Sequence, residues 1–593
     1  VRFVIAIVSF VVAAVMIGAG IAQQTIFRAP DRVRAMVAVE SSAPVTVIDG
    51  ATLNSYPRQQ RIDIAGSERI FAAYGRTTDV LAWIGDTSYN TLSLDAESGV
   101  LSSDVVNGAS DEVPDPAGSD LWLAEYSDDN ELSISTKVPP PSKEDISFLV
   151  VSTGTDPAPA DIQLSWPIAN NPKWVGPLLL GGAIALIVGL GMLLWAILHM
   201  RASRGPRRGR PKMPKLPKPP RYKPSKHPKA IVAGRRGRRS ARVTMVAAPL
   251  ALLGVVALGG CSGASTAYSP SAAPGGSVSD GMTLAAETDE LGGEPAVTQL
   301  QAERIVQRVS ETAATADKKF DAKLAEERFA GPALAVRKAD YVVRKIDPKA
   351  ESLVTIPAGP LEVILPQRKE TWPRTVFTVV RTSADNSTAP LALMLIQDDP
   401  RANYKVHYAF PLVPGETLPA VAEPDAGALR LGADTPFLSF QPDQLATAYG
   451  DILLNDTESE FYDAFDATND PFRDQVGAAA KKKERKALPD TVKLAFRSAA
   501  GPGETIVFAT VNGGAIVAVE LHETEEITPV EEGASISTPK DIKALSGKAS
   551  TTKGITATYA DQLLFYVPST TEGGPVKLLG YESDLVTATE VKE

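Results

Sequence analysis

The chain has 593 residues, 60 Lys and Arg against 70 Asp and Glu, 6% aromatic residues and one cysteine. That length permits several folded units, and the lone cysteine excludes any intramolecular disulfide, so stability rests on burial. The net charge of −10 hides a sharp segregation of charge along the chain and therefore identifies no partner.

Residues 1–22 open the chain with an apolar run, uncharged from Phe3 to Ala22 and preceded by Arg2. About 20 residues at roughly 1.5 Å rise span the hydrocarbon core, so this predicts a transmembrane helix or retained signal anchor. The chain begins at Val1, which suggests a start codon translated literally. Residues 27–172 read as strands: short apolar or alternating runs at 44–48, 61–64, 70–74, 80–84, 121–124, 132–135, 146–151 and 162–166. Turn signals such as Asp49-Gly50 and Gly85-Asp86 divide them, predicting an all-β, sandwich-like domain. Its acidic loops, with Asp111, Glu112, Asp115, Asp120, Asp128 and Asp129, offer carboxylates for Ca²⁺ but lack EF-hand spacing. Solvated loops are the simpler reading.

Residues 174–200 form a second span with no Asp, Glu, Lys or Arg from Val175 to Met200, with Trp174 and Trp195 near its ends, where indoles prefer the interface. Residues 201–242 then carry seventeen Lys or Arg, no Asp or Glu, and many prolines. Such a segment does not bury a core. Apolar runs bound it on both sides, so it reads as a cytoplasmic linker obeying the positive-inside rule, attracted to anionic headgroups and not to nucleic acid. Residues 243–260 are a shorter apolar run, either a third transmembrane helix or an internal signal. With the linker inside, both main domains lie outside the membrane; the rest of the chain carries 43 Lys and Arg against 70 Asp and Glu.

The run Leu258-Gly259-Gly260-Cys261, behind the basic Arg235–Arg239 and the apolar Val246–Ala257, resembles the bacterial lipobox. The resemblance implies diacylglycerol on Cys261 and cleavage between Gly260 and Cys261; its mid-chain position departs from the N-terminal placement of such signals. Residues 261–294, rich in Ser, Gly, Ala and Pro, read as a tether. An ordinary small apolar cysteine at a helix end is the competing reading, and a fusion of two neighbouring proteins at the linker would produce the same pattern.

From 295 the pattern changes. Val297, Leu300, Ile305, Val309, Ala313, Ala316, Phe320 and Leu324 recur at helical spacing behind Pro295. Strands follow at 375–380, 391–396 and 404–410, giving one α+β unit over 295–440. A second unit over 441–593 repeats the order, with a helix near 442–454, a polar helical stretch, and strands at 491–496, 505–511, 515–521, 555–559, 563–567 and 576–581. Two such units are similar to cone-shaped α+β folds of the nuclear transport factor 2 kind.

For chemistry the chain offers little. His407 and His522 stand alone in predicted strands, and no paired-ligand spacing, P-loop, dinucleotide fingerprint or nucleophile elbow is present. No catalytic residue, metal ligand or cofactor is assigned. Asp398-Asp399 before Pro400 reads as a turn, and Lys481-Lys482-Lys483-Glu484-Arg485-Lys486 as a solvated helix end. As a whole the chain resembles uncharacterised membrane proteins and lipoproteins of high-GC Gram-positive bacteria. That resemblance implies a non-catalytic, multi-pass envelope protein that binds or scaffolds an envelope protein or glycan. The alternative is an enzyme or accessory of wall-glycan transfer with a pocket in the C-terminal region.

Overall fold

The computed structural model describes residues 2–27, 31–39, 42–56, 59–95, 98–136, 146–152, 156–168, 174–202, 293–382 and 388–592. The basic linker, the 243–260 run, Leu258, Gly259, Gly260, Cys261 and the tether up to residue 292 lie outside them.

Two helices form a unit of their own, α1 (Arg2–Thr25) and α4 (Val175–Ala202). Both are long and apolar enough to cross a membrane. They pair along small residues spaced seven apart: α1 buries Ala6, Ala13 and Gly20, and α4 buries Gly182, Gly189 and Ala196. Backbones approach closely only where side chains are small. A Cβ on Gly182 would stand 2.6 Å from Ile17 Cγ1 and 3.3 Å from the Ala13 carbonyl oxygen.

Residues 26–172 and 287–593 together make the second compact unit. Its N-terminal part is one eight-stranded sheet in the order β1-β8-β3-β7-β2-β4-β5, with β6 also on β3. The strands are β1 (Arg32–Ala38), β2 (Val45–Ile48), β3 (Gln60–Arg76), β4 (Tyr89–Asp95), β5 (Val100–Val106), β6 (Ala124–Thr136), β7 (Ile146–Ser152) and β8 (Asp161–Pro167). The edges β1 and β5 lie against each other, so the sheet closes nearly into a barrel instead of splitting into the two layers of the expected sandwich. The bend comes from β3, which joins two predicted strands into one. Its first half pairs with β8 and its second with β7, across a register break between Ala65 and Arg69. Gly66, at φ +97°, occupies the break, where a Cβ would meet the Ala160 backbone nitrogen at 3.2 Å. Two short helices, α2 (Gly50–Leu53) and α3 (Thr77–Ile84), pack on the sheet. Residues 80–84, expected as a strand, form the buried stripe of α3: Val80, Trp83 and Ile84 point inward at helical spacing and Leu81 outward.

The C-terminal part has four layers. Helices α5 (Gln299–Lys319), α6 (Ala322–Ala325) and α7 (Gly331–Ile346) precede the antiparallel sheet β9 (Leu361–Pro366), β10 (Arg374–Val380), β11 (Leu391–Gln397) and β12 (Lys405–Pro411). The second half opens with β13 (Arg430–Leu431), an edge strand of a second, six-stranded sheet, and places α8 (Leu445–Asn455), α9 (Pro471–Val476) and α10 (Ala478–Ala487) before the rest of it. That sheet contains β14 (Val492–Ala500), β15 (Ile506–Ala509), β16 (Ala515–Pro529), β19 (Ile555–Val567) and β20 (Lys577–Glu590). Between β16 and β19 lie the two-stranded pair β17 (Ile536–Ser537) and β18 (Ser550–Thr551), and α11 (Lys540–Ser546).

The sheets pack face to face through Phe377, Met394, Phe410, Phe508, Ile516 and Leu564. Their outer faces carry helices, α5 and α7 over Val376, Leu393 and Leu395, and α8 and α9 over Val517, Val519 and Phe565. Strands sandwiched between layers bury both faces, so β10 and β11 are buried at every position, and β11 reads as an unbroken hydrophobic run from Leu391 to Ile396, whereas β10 also buries Arg374, Thr375 and Thr378.

Candidate functional site

The most heavily built feature is the seam between the barrel-like sheet and the C-terminal layers. Arginines on the C-terminal side meet acceptors on the other. Gln301, Arg304 and Arg308 recur at i, i+3 and i+7 on one face of α5. Gln301 Nε2 donates to the Leu121 carbonyl (2.9 Å), and Arg304 to the carbonyls of Trp122 and Leu123, the latter at 2.8 Å. Arg308 donates to Gly118 O (2.9 Å), Asp120 Oδ1 (3.3 Å) and Glu125 Oε1 (2.9 Å).

Asp120 is the centre of this contact. Its side chain is fully buried and accepts from Arg328 Nη1 and Nη2, Arg308 Nη1 and the Tyr404 backbone N–H. A carboxylate costs several kcal/mol to bury, on the order offset only by charge-assisted donors at each lone pair, and here those donors are present. The expectation of a solvated loop, or of Ca²⁺ ligation, at Asp120 is therefore corrected. Among the described residues no group of three or more His, Cys, Asp or Glu is placed to hold a metal ion.

Two further contacts extend the seam. Asp79 of α3 pairs with Arg374 at 2.7 Å, both buried, and the Arg374 guanidinium also lies 3.8 Å from the Trp372 ring centroid. Arg401 donates to the carbonyls of Trp83 and Ile84, each at 2.8 Å, which caps the C-terminus of α3 with a cation. The Asp398-Asp399 turn serves this contact: Asp399 Oδ1 accepts from the backbone N–H groups of Arg401 and Ala402 and fixes the loop.

The loop that delivers Asp120 also walls a groove of about 800 Å³ in the N-terminal domain. Its floor is Ile70, Phe71 and Tyr126, and its rim holds Glu112, Asp115, Glu125, Asp128 and Asp129 against Arg69 alone. Trp122 Nε1 donates to the Pro116 carbonyl at 2.7 Å, and Glu125 accepts from both Gly118 N and Arg308. One wall of the groove is thus held in place by the C-terminal region. An apolar floor with a carboxylate rim suits a cationic or basic ligand. By contrast the gap between α5 and its sheet, lined by Ile305, Val306, Val376 and Tyr404, measures about 10 Å³, a packing defect and not a substrate pocket.

A second concentration of charge lies inside the far end of the second sheet. Lys481 of α10 is buried and pairs with Glu523 at 2.8 Å, so the first lysine of the run is a core ion and not the solvated helix end expected. Lys482 and Lys483 are exposed. Asp561 accepts from Ser583 Oγ at 2.6 Å, and burial pushes its carboxyl up to about 8. Burial likewise pushes Glu582 to about 8, Glu525 to about 7, and Asp584 and Asp340 to about 6. His522 on β16 lies 3.0 Å from Glu520, and His407 on β12 is partly buried, which lowers its pKa.

A family model described as Domain of unknown function (DUF8094) matches residues 293–590. No curated protein and no solved structure matches the chain.

Proposed function

The chain belongs to the DUF8094 family, and from its two apolar helices, the seam and the acidic groove we propose that it is a membrane-anchored envelope protein that binds a ligand without catalysing its conversion. The observation that carries the reading is the union of residues 26–172 and 287–593 in one compact unit, although two apolar helix-forming segments and the basic linker separate them or flank them in the chain. If α1 and α4 each cross the bilayer, residues 26–172 stand on one side and residue 203 on the other. A fully buried Asp120 held by Arg328 requires the C-terminal part to stand with residues 26–172. We therefore assign a third crossing to the apolar run 243–260, between the two parts in sequence. The positive-inside rule puts the basic linker in the cytoplasm and the composite body outside.

In this reading the acidic groove takes the ligand and the C-terminal layers act as the scaffold that shapes it. Lipid on Cys261, with Leu258, Gly259 and Gly260 as its recognition run, adds an anchor beside the third crossing. Site-directed cysteine labelling tests the topology on a Cys261→Ser background. An impermeant maleimide should label Asp129→Cys and Lys577→Cys in intact cells, and Ser203→Cys only after permeabilisation. Labelling of Ser203→Cys from outside, or protection of either of the others, would defeat the reading. Mass analysis of the wild-type chain against Cys261→Ala separates a lipid-bearing chain from an unmodified one.

A further inference from the structure

The seam is uneven in where its donors and acceptors lie. Most of its side-chain donors come from the C-terminal side, Gln301, Arg304, Arg308, Arg328, Arg374 and Arg401, while Arg76 of β3 donates the other way, to the Pro295 carbonyl, and pairs with Glu294. The acceptors are two buried carboxylates, Asp79 and Asp120, the rim carboxylate Glu125, and a succession of backbone carbonyls at Gly118, Ser119, Asp120, Leu121, Trp122 and Leu123. Each side has its own core: Trp83, Trp122 and Leu149 on one, and the four-layer packing on the other. Among the described residues no strand pairing crosses between them, since each sheet is built wholly from one side. The family match begins at residue 293 and leaves the barrel-like sheet outside it.

We propose that residues 293–592 are a docking module, and that the face formed by α5 and the Arg328 segment recognises an acidic loop presenting consecutive backbone carbonyls on a separately folded β domain. The covalent connection is dispensable to this contact. Arginine forks on carbonyls and a desolvated carboxylate are the chemistry of protein–protein recognition, in which charged pairs set register and a few buried anchors supply the affinity. The partner it fits is defined by residues 118–125: a central aspartate, flanking free carbonyls, and an indole packed beneath. A chain cleaved before Cys261 would therefore yield two products that remain one assembly, a consequence that rests on the lipobox reading while the docking itself does not.

The test keeps the full chain. A site for a specific protease is inserted after Gly275, the detergent-solubilised protein is cut, and the products are run by size exclusion at physiological salt. The wild-type fragments should co-elute. Arg304→Glu, which places a carboxylate against the Trp122 and Leu123 carbonyls, should lose co-elution while the released C-terminal fragment keeps its protease-resistant core. Asp120→Ala should do the same from the opposite side. Wild-type fragments that separate on cutting would overturn the proposal. So would co-elution that survives both substitutions, because the arginine face would then not be the reader.

Discussion

Asp79 and Arg374 lie 295 positions apart in the chain and form an ion pair at 2.7 Å that neither shares with solvent, their side chains being 2% and 1% exposed. The pair joins α3 to the start of β10 across the seam. Its worth lies in what is left behind when one partner is removed: an uncompensated buried charge costs about 3–5 kcal/mol, whereas replacing both by apolar groups of similar size is often near neutral. Arg374→Ala and Asp79→Ala should each lower the apparent unfolding midpoint in urea markedly, and the double variant Asp79→Leu/Arg374→Met should recover most of the loss. Additive losses in the double variant would show that the pair is not coupled.

Gln301 has two tasks that separate cleanly. Its Oε1 accepts from the Thr298 backbone N–H at 3.0 Å, and Thr298 Oγ1 accepts from Gln301 N, completing the capping box of α5. Its Nε2 reads the Leu121 carbonyl. Thr298→Ala removes the cap alone and should cost about 1 kcal/mol of stability. Gln301→Glu retains an oxygen for the cap but sets a carboxylate oxygen against the Asp120 and Leu121 carbonyls, so it should weaken the seam more than Thr298→Ala does. Thermal unfolding of the two variants side by side checks the order, and equal losses would mean that Nε2 contributes nothing.

The two apolar helices, most strands and the change of pattern near residue 295 were legible because each is a local periodicity. Residues 391–396 read as a strand and are one, since burial on both faces leaves an apolar run bounded by polar turns. The 80–84 run misled for the same reason: five successive apolar residues fit a buried strand as well as a helix, and only the polar Thr77, Thr78 and Asp79 before them mark a helix start. The strands β1, β4 and β5 passed unseen because charged or polar residues break their apolar runs, and β9 because its apolar run is short, interrupted by Glu362 and closed by Pro366. The seam was illegible. Asp120 sits among acidic loop residues that are solvated, and nothing local distinguishes it from Asp128; its role depends on Arg328, 208 positions away. The sole available hint was Leu121-Trp122-Leu123, an apolar cluster read as a strand, which instead packs Leu121 and Trp122 beneath the loop.

Lys481 and Lys482 are adjacent in sequence and opposite in environment. Lys481 reaches Glu523 with 5% of its side chain exposed and lies 5.5 Å from the Phe496 ring centroid, while Lys482 faces solvent. Lys481→Met strands Glu523 in a buried site, so about 3–5 kcal/mol should be lost unless Glu523 takes up a proton. The loss should accordingly shrink as pH falls toward 5. Lys482→Met should leave the unfolding midpoint unchanged within about 0.5 kcal/mol. Denaturant melts at two pH values distinguish these; a pH-independent loss in Lys481→Met would mean that Glu523 remains unprotonated throughout.

The carboxyls at the far end of the second sheet impose a pH dependence of definite sign. Asp561, held at about 8 by burial, shares its surroundings with Glu523, Lys481, Ser583 and Asp584; Glu582 is held at about 8 and Glu525 at about 7. In the unfolded chain such groups titrate near 4, so between about pH 5 and 8 the folded protein holds protons that the unfolded chain has shed. The folded state is then favoured at the acid end of this window, and that contribution is lost as pH rises through 7 and 8, with a slope of about 1.4 kcal/mol per pH unit for each group while it stays protonated. His407, whose pKa burial lowers, acts in the opposite sense below about 6.5, one group against several. Melting temperatures should therefore fall from pH 5.5 to 8.5. Asp561→Asn keeps an oxygen for the Ser583 hydroxyl and removes the titration, so its melting curve against pH should be flatter, with the variant gaining on the wild type at pH 8.5. Parallel curves for the two proteins would show that Asp561 is already ionised at neutral pH, with its charge balanced by Lys481.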